Sequence, residues 1–94
     1  MTLFNKKLGA VLKNIRNERH LSQQEIADRL GVSRSCYTHY ETGDRGMDIN
    51  VLFKLCDIYN VDVNEILKDV RKYVYKKWIK ESEGIWTNSG KRNI

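Results

Sequence analysis

Arg34, Ser35, Thr38 and His39 bring a guanidinium, two hydroxyls and an imidazole into a single short stretch. On a helix Arg34 and Thr38 are i,i+4 neighbours, as are Ser35 and His39, so the four share one patch. The patch is built to make hydrogen bonds. No nucleophile–base pair, carboxylate pair or metal set accompanies it, so the residues give no support to an enzyme. An arginine fork donates to two acceptors at once, and guanine offers such a pair as O6 and N7. Ser22, Gln23, Ser33, Thr42 and Arg45 lie close by and add donors of the kind that meet phosphate oxygens.

Two short elements must hold this patch, and the stretch from Leu21 to Gly43 supplies them. Ser22 is placed to cap a first helix, and Glu25, three residues on, completes a capping box. Ile26, Ala27 and Leu30 give that helix an apolar face. Gly31 follows, the residue that most easily takes the left-handed conformation at a helix end. Only Val32 separates it from Ser33, a second cap, so the helices must cross steeply. Ala27 is small enough to permit the crossing. Two caps, a glycine and a small residue at these offsets define a helix-turn-helix. In its second helix Tyr37 and Tyr40 face inward with Val32, which turns Arg34, Ser35, Thr38, His39 and Thr42 away from the core.

The flanking chain reads as further helices. A first one is expected from about Asn5, as cap, to about Glu18, with Leu8, Val11, Leu12 and Ile15 inside. Asp48 is placed to cap a fourth, with Val51, Leu52, Leu55, Cys56 and Tyr59 on one face. Asn60 and Val61 make a stop, and Asp62 with Glu65 opens a short fifth helix ending near Leu67. A separate sixth helix is expected from Lys68 to Ser82 on the spacing of Val70, Tyr73, Val74 and Trp78, widened by Tyr75 and Ile79. Beyond Gly84 come Trp86 and a polar end at Lys91 to Ile94, expected to fray. The expectation is an all-α fold, a compact five-helix domain with an additional C-terminal helix. It divides into 1–67 and a basic, aromatic 68–94.

Ninety-four residues with net charge +5 suit one small domain plus an appendage. The charge is unevenly placed. Residues 1–47 carry +3, residues 48–67 carry −3 and residues 68–94 carry +5. A basic front and tail around an acidic middle suit a protein with one face toward a polyanion. Cys36 and Cys56 have no metal spacing, the two histidines do not complete a site, and no cofactor is implied. Neither a signal peptide nor a membrane-spanning run stands out, so a cytoplasmic location with reduced thiols is expected.

The chain resembles the phage-repressor and Cro-like helix-turn-helix family of transcription regulators over about Leu8 to Leu67. Arg16, the run Leu21 to Ala27, Gly31-Val32-Ser33, Tyr37, Tyr40-Glu41, Gly43, Arg45, Asp48 and Val61 to Leu67 carry the likeness. The resemblance implies a lambda-repressor-like fold whose second motif helix enters the DNA major groove. It implies that Arg16 pairs with Glu41 as a structural ion pair, that Gln23 meets a phosphate, and that Arg34, Ser35 and His39 contact base edges. Arg45 matches a basic residue of the following loop. The family often has proline where this chain has Met47, and a smaller aliphatic residue where it has Tyr37.

The function expected is a sequence-specific regulator of double-stranded DNA, most simply a repressor. One motif reads only a few base pairs, so a homodimer on a two-fold site is expected, with the acidic helices turned from DNA. The aromatic C-terminal segment is the expected extra contact surface. The competing reading is an antitoxin-like module whose C-terminal segment holds another protein. Residues 72–80 mix lysines with aromatics in a way that also suits an anionic membrane surface, but no membrane partner is expected.

Overall fold

The computed structural model describes residues 2–81. Five helices occupy them: α1 (Leu3–Glu18), α2 (Gln23–Leu30), α3 (Arg34–Thr42), α4 (Ile49–Tyr59) and α5 (Val63–Glu81). No strand occurs among the described residues.

Local signals set most of the boundaries. The Ser22 hydroxyl accepts from Glu25 N at 3.0 Å while Glu25 Oε1 accepts from Ser22 N at 2.8 Å, which is the expected reciprocal box. Gly31 is left-handed at φ 78°, and Ser33 then caps α3 by accepting from Cys36 N. Asp48 caps α4 through Val51 N, and Asn60 ends it at φ 55°.

Two boundaries differ from the sequence reading. α1 starts at Leu3, not at a cap on Asn5, because Thr2 Oγ1 accepts from Asn5 N at 3.1 Å. A hydroxyl one turn upstream satisfies the first-turn donors and draws Asn5 into the helix. The expected stop after Leu67 is also absent, and α5 carries the chain unbroken across 67–68. Nothing from Leu67 to Arg71 breaks a helix, while Ile66 and Val70 continue one buried stripe. The fifth and sixth helices are therefore one. Ser82, Trp86, residues 91–94 and the Trp78 side chain, all named above, lie outside the described positions.

The core draws on every helix. Leu12, Ile26, Ala27, Tyr37, Leu55 and Val70 are fully withdrawn from solvent. Each aliphatic side chain the size of Leu12 contributes about 1.5–3 kcal/mol by that burial. α1 lies against α3 with almost nothing between them: a Cβ on Gly9 would collide with the carbonyl oxygens of Tyr40 and Glu41. That close approach brings Arg16, two turns further along α1, within reach of Glu41.

Candidate nucleic-acid interface

α3 sorts its side chains sharply. Tyr37, Tyr40 and Glu41 are buried, whereas Arg34, Ser35, His39 and Thr42 are exposed. Thr38 is half-buried. The short turn through Gly31 and Val32 sets the start of α2 beside α3, so Gln23 lies next to Thr38.

The buried side of α3 ends in an ion pair. Arg16 Nε donates to Glu41 Oε2 at 2.6 Å and Nη2 to Oε1 at 3.0 Å, a bidentate fork. Its third nitrogen, Nη1, donates to the Leu21 carbonyl at 2.8 Å. Gln23 Nε2 also donates to Glu41 Oε1, at 3.0 Å. Tyr37, fully buried, has its hydroxyl 2.9 Å from that of Tyr59. The large residue in the helix crossing thus finds a polar partner on α4, which satisfies both buried hydroxyls. Tyr37 and Tyr59 lie 22 positions apart and meet only across the bundle, so spacing alone does not link them.

Burial pushes the Glu41 carboxyl upward, but hydrogen bonds from Arg16, Tyr37 and Gln23 outweigh it and hold the group below the usual carboxylate range. Burial, then the hydrogen bond to Glu41, pushes the Tyr37 phenol upward. The depressed Glu41 contributes stability that is present above its unfolded value and lost as pH falls through its folded one. Stability should therefore drop below about pH 4.5. In Glu41→Gln it should be lower at neutral pH and fall less through the same window. Denaturant titrations from pH 3 to pH 7 check this.

The exposed side carries its own contacts. Asp44 Oδ2 accepts from Thr42 Oγ1 at 2.9 Å and lies 3.3 Å from His39 Nδ1. Those hydrogen bonds, Thr42's first, hold Asp44 below its usual range. Asp44 thus ties down two of the expected DNA contacts. Asp44 is not among the residues expected at the site, although Thr42-Gly43-Asp44 across a helix end is a usable signal. Arg45 Nη1 donates to Cys36 Sγ at 3.3 Å, which lays the guanidinium along the flank of α3. Ser22 and Ser33 spend their hydroxyls on their own helix starts. Gln23 and Thr38 bond each other, with Thr38 Oγ1 donating to Gln23 Oε1 at 3.0 Å. Of the residues expected at DNA, only Arg34 and Ser35 make no side-chain contact recorded in the structure.

A groove of about 500 Å³ lies between α1 and α5, away from α3. Lys7, Lys72 and Lys76 line one end, with Lys7 Nζ 5.0 Å above the Tyr73 ring, and Glu18 and Glu65 line the other. Among the described residues no cluster could hold a metal ion, and no helix is long and apolar enough to cross a membrane.

Fold and site together define a helix-turn-helix domain. The helix-turn-helix family model matches residues 12–66. The chain belongs to this family, in its phage-repressor and Cro-like form. Among its relatives is the uncharacterised HTH-type transcriptional regulator YqaE of Bacillus subtilis, 40% identical over 57 residues, which are 61% of this chain and 49% of YqaE. The ImmF control region 10 kDa protein of Bacillus phage phi105 is 39% identical over 62 residues, 66% of this chain and 69% of that one. The cryptic phage CTXphi transcriptional repressor RstR of Vibrio cholerae is 30% identical over 66 residues, 70% and 60% of the two chains. The chain thus spans between half and about two thirds of the length of these relatives. Two crystal structures of the clp gene regulator ClgR from Corynebacterium glutamicum share the fold. One has a TM-score of 0.71 at 22% identity over 78% of this chain and 95% of that one. The other has a TM-score of 0.74 at 18% identity over 98% of both.

Proposed function

We propose that the protein is a sequence-specific transcriptional regulator, most simply a repressor, that occupies a two-fold operator as a homodimer. The observation that carries this reading is the division of α3. One side is locked into the core through Tyr37, Tyr40 and Glu41, while Arg34, Ser35 and His39 stand exposed on the other. A helix held so rigidly can present its first turns to base edges in a major groove. In this reading Arg34 reads a guanine, and Ser35 and His39 read neighbouring bases. Gln23, Thr42 and Arg45 hold phosphates, with Ser22 and Ser33 setting the helix starts that face them. His39 and Thr42 leave Asp44 when DNA arrives. Operator occupancy requires no catalysed reaction, and double-stranded DNA in the cytoplasm is the partner.

The two-fold arrangement finds support in the groove between α1 and α5. A two-fold axis set across the groove would place the Lys7, Lys72 and Lys76 end of one copy, which also holds Asp69, opposite the Glu18 and Glu65 end of the other. Reversing Lys72 and Lys76 to glutamate should weaken dimerisation by about tenfold at low salt. Sedimentation equilibrium checks this, with unchanged dimers removing the groove from the interface.

Selection of bound duplexes from a random pool, at two salt concentrations, tests the function. The expected result is a palindromic motif with half-sites about 34 Å apart and a steep salt slope. Salt-sensitive binding with no enriched motif would overturn it.

A further inference from the structure

Thr38 sits at helical spacing from Arg34, and its position on α3 suits a base reader. Its hydroxyl is turned elsewhere. The oxygen lies 3.0 Å from Gln23 Oε1 and 2.9 Å from the Arg34 carbonyl, so its single proton has two acceptors, both within the protein. The Gln23 amide then has one orientation only. Glu41 carries nothing but acceptors toward it, so Nε2 must face Glu41 and Oε1 must face Thr38. One Nε2 hydrogen is used on Glu41, and the other remains.

We propose that Thr38 is a positioning residue that clamps the Gln23 amide between α3 and Glu41, so that the remaining Nε2 hydrogen is aimed at a DNA phosphate. The inference rests on the proposed reading of DNA by α3 and deepens it. The clamp runs from Thr38 through Gln23 and Glu41 to Arg16, joining the start of α2, both sides of α3 and the end of α1. The phosphate contact on α2 and the reading residues on α3 are thereby fixed in register. A base approaching Thr38 would have to compete with two acceptors already in place.

The test compares wild type with Thr38→Val, Thr38→Ser, Gln23→Ala and the Thr38→Val/Gln23→Ala double variant. Thr38→Val should weaken binding roughly three- to tenfold, the value of one net hydrogen bond, on every duplex alike. The ranking of bases should stay as in wild type, and Thr38→Ser should restore affinity. On the Gln23→Ala background Thr38→Val should cost nothing further, because the clamp has lost its object. The salt slope should not change, since neither residue carries charge. In the free protein, Thr38→Val should shift the Gln23 side-chain amide resonances.

A changed base ranking would show that Thr38 reads sequence and overturn the proposal. Independent penalties for Thr38→Val and Gln23→Ala, or Gln23 resonances that do not move, would also overturn it. If Thr38→Val lowers the melting temperature, Thr38→Ala completes the cycle in its place. A wild-type protein that enriches no motif instead sinks the function, while the free-protein resonances still decide the clamp.

Discussion

Arg16→Ala should lose about 3–5 kcal/mol of stability, the usual result of removing one member of a buried ion pair. The arginine gives three hydrogen bonds, two to Glu41 and one to the Leu21 carbonyl. Its removal leaves a carboxylate almost without solvent and a turn carbonyl short of a donor. Each kcal/mol lowers the melting temperature of a domain this size by about 4–8 °C. Below the new transition, base preference should match wild type, since Arg16 sits behind α3 and not on its exposed side. Calorimetry with duplex selection in the cold checks both halves. Wild-type melting with lost discrimination would refute the structural role. Arg16→Ala combined with Glu41→Ala should cost less than the two single losses together, because no lone buried charge is left.

Arg34→Ala should act in the opposite way, with melting unchanged and discrimination reduced. Arg34 is exposed, and the structure records no side-chain bond for it, so its removal strips nothing from the core. One bidentate arginine–guanine contact is worth about 1–3 kcal/mol of discrimination. The variant should relax one position of each half-site and leave the others intact. Arg45→Ala should instead weaken all sequences by a similar factor and flatten the salt slope by about one unit. Competition binding against single-base operator variants separates the two. If Arg34→Ala behaves as Arg45→Ala does, Arg34 is a phosphate contact.

Much of this protein was legible in the chain because its signals are local. Ser22 with Glu25, Gly31, Ser33 and Asp48 each act within a turn of themselves, and each sits in the structure where spacing puts it. Boundaries were harder where local signals compete. Thr2 outbid Asn5 as a cap by offering its hydroxyl one turn earlier. At Leu67 a weak pause in pattern gave way to the buried stripe that Val70 continues. The exposed side of α3 was legible as a set of residue types, but not what each side chain does with its hydrogen bonds.

The order of caps, glycines and apolar positions by itself determined that this chain makes a helix-turn-helix with a polar outer flank. Those features act between residues a few positions apart, where geometry follows from spacing. Only the tertiary structure decided that Thr38 turns its hydroxyl to Gln23, that Tyr37 meets Tyr59, and that Gly9 lets α1 touch α3. Such contacts join residues far apart in sequence, and packing, not spacing, chooses which of several hydrogen-bond partners a side chain takes.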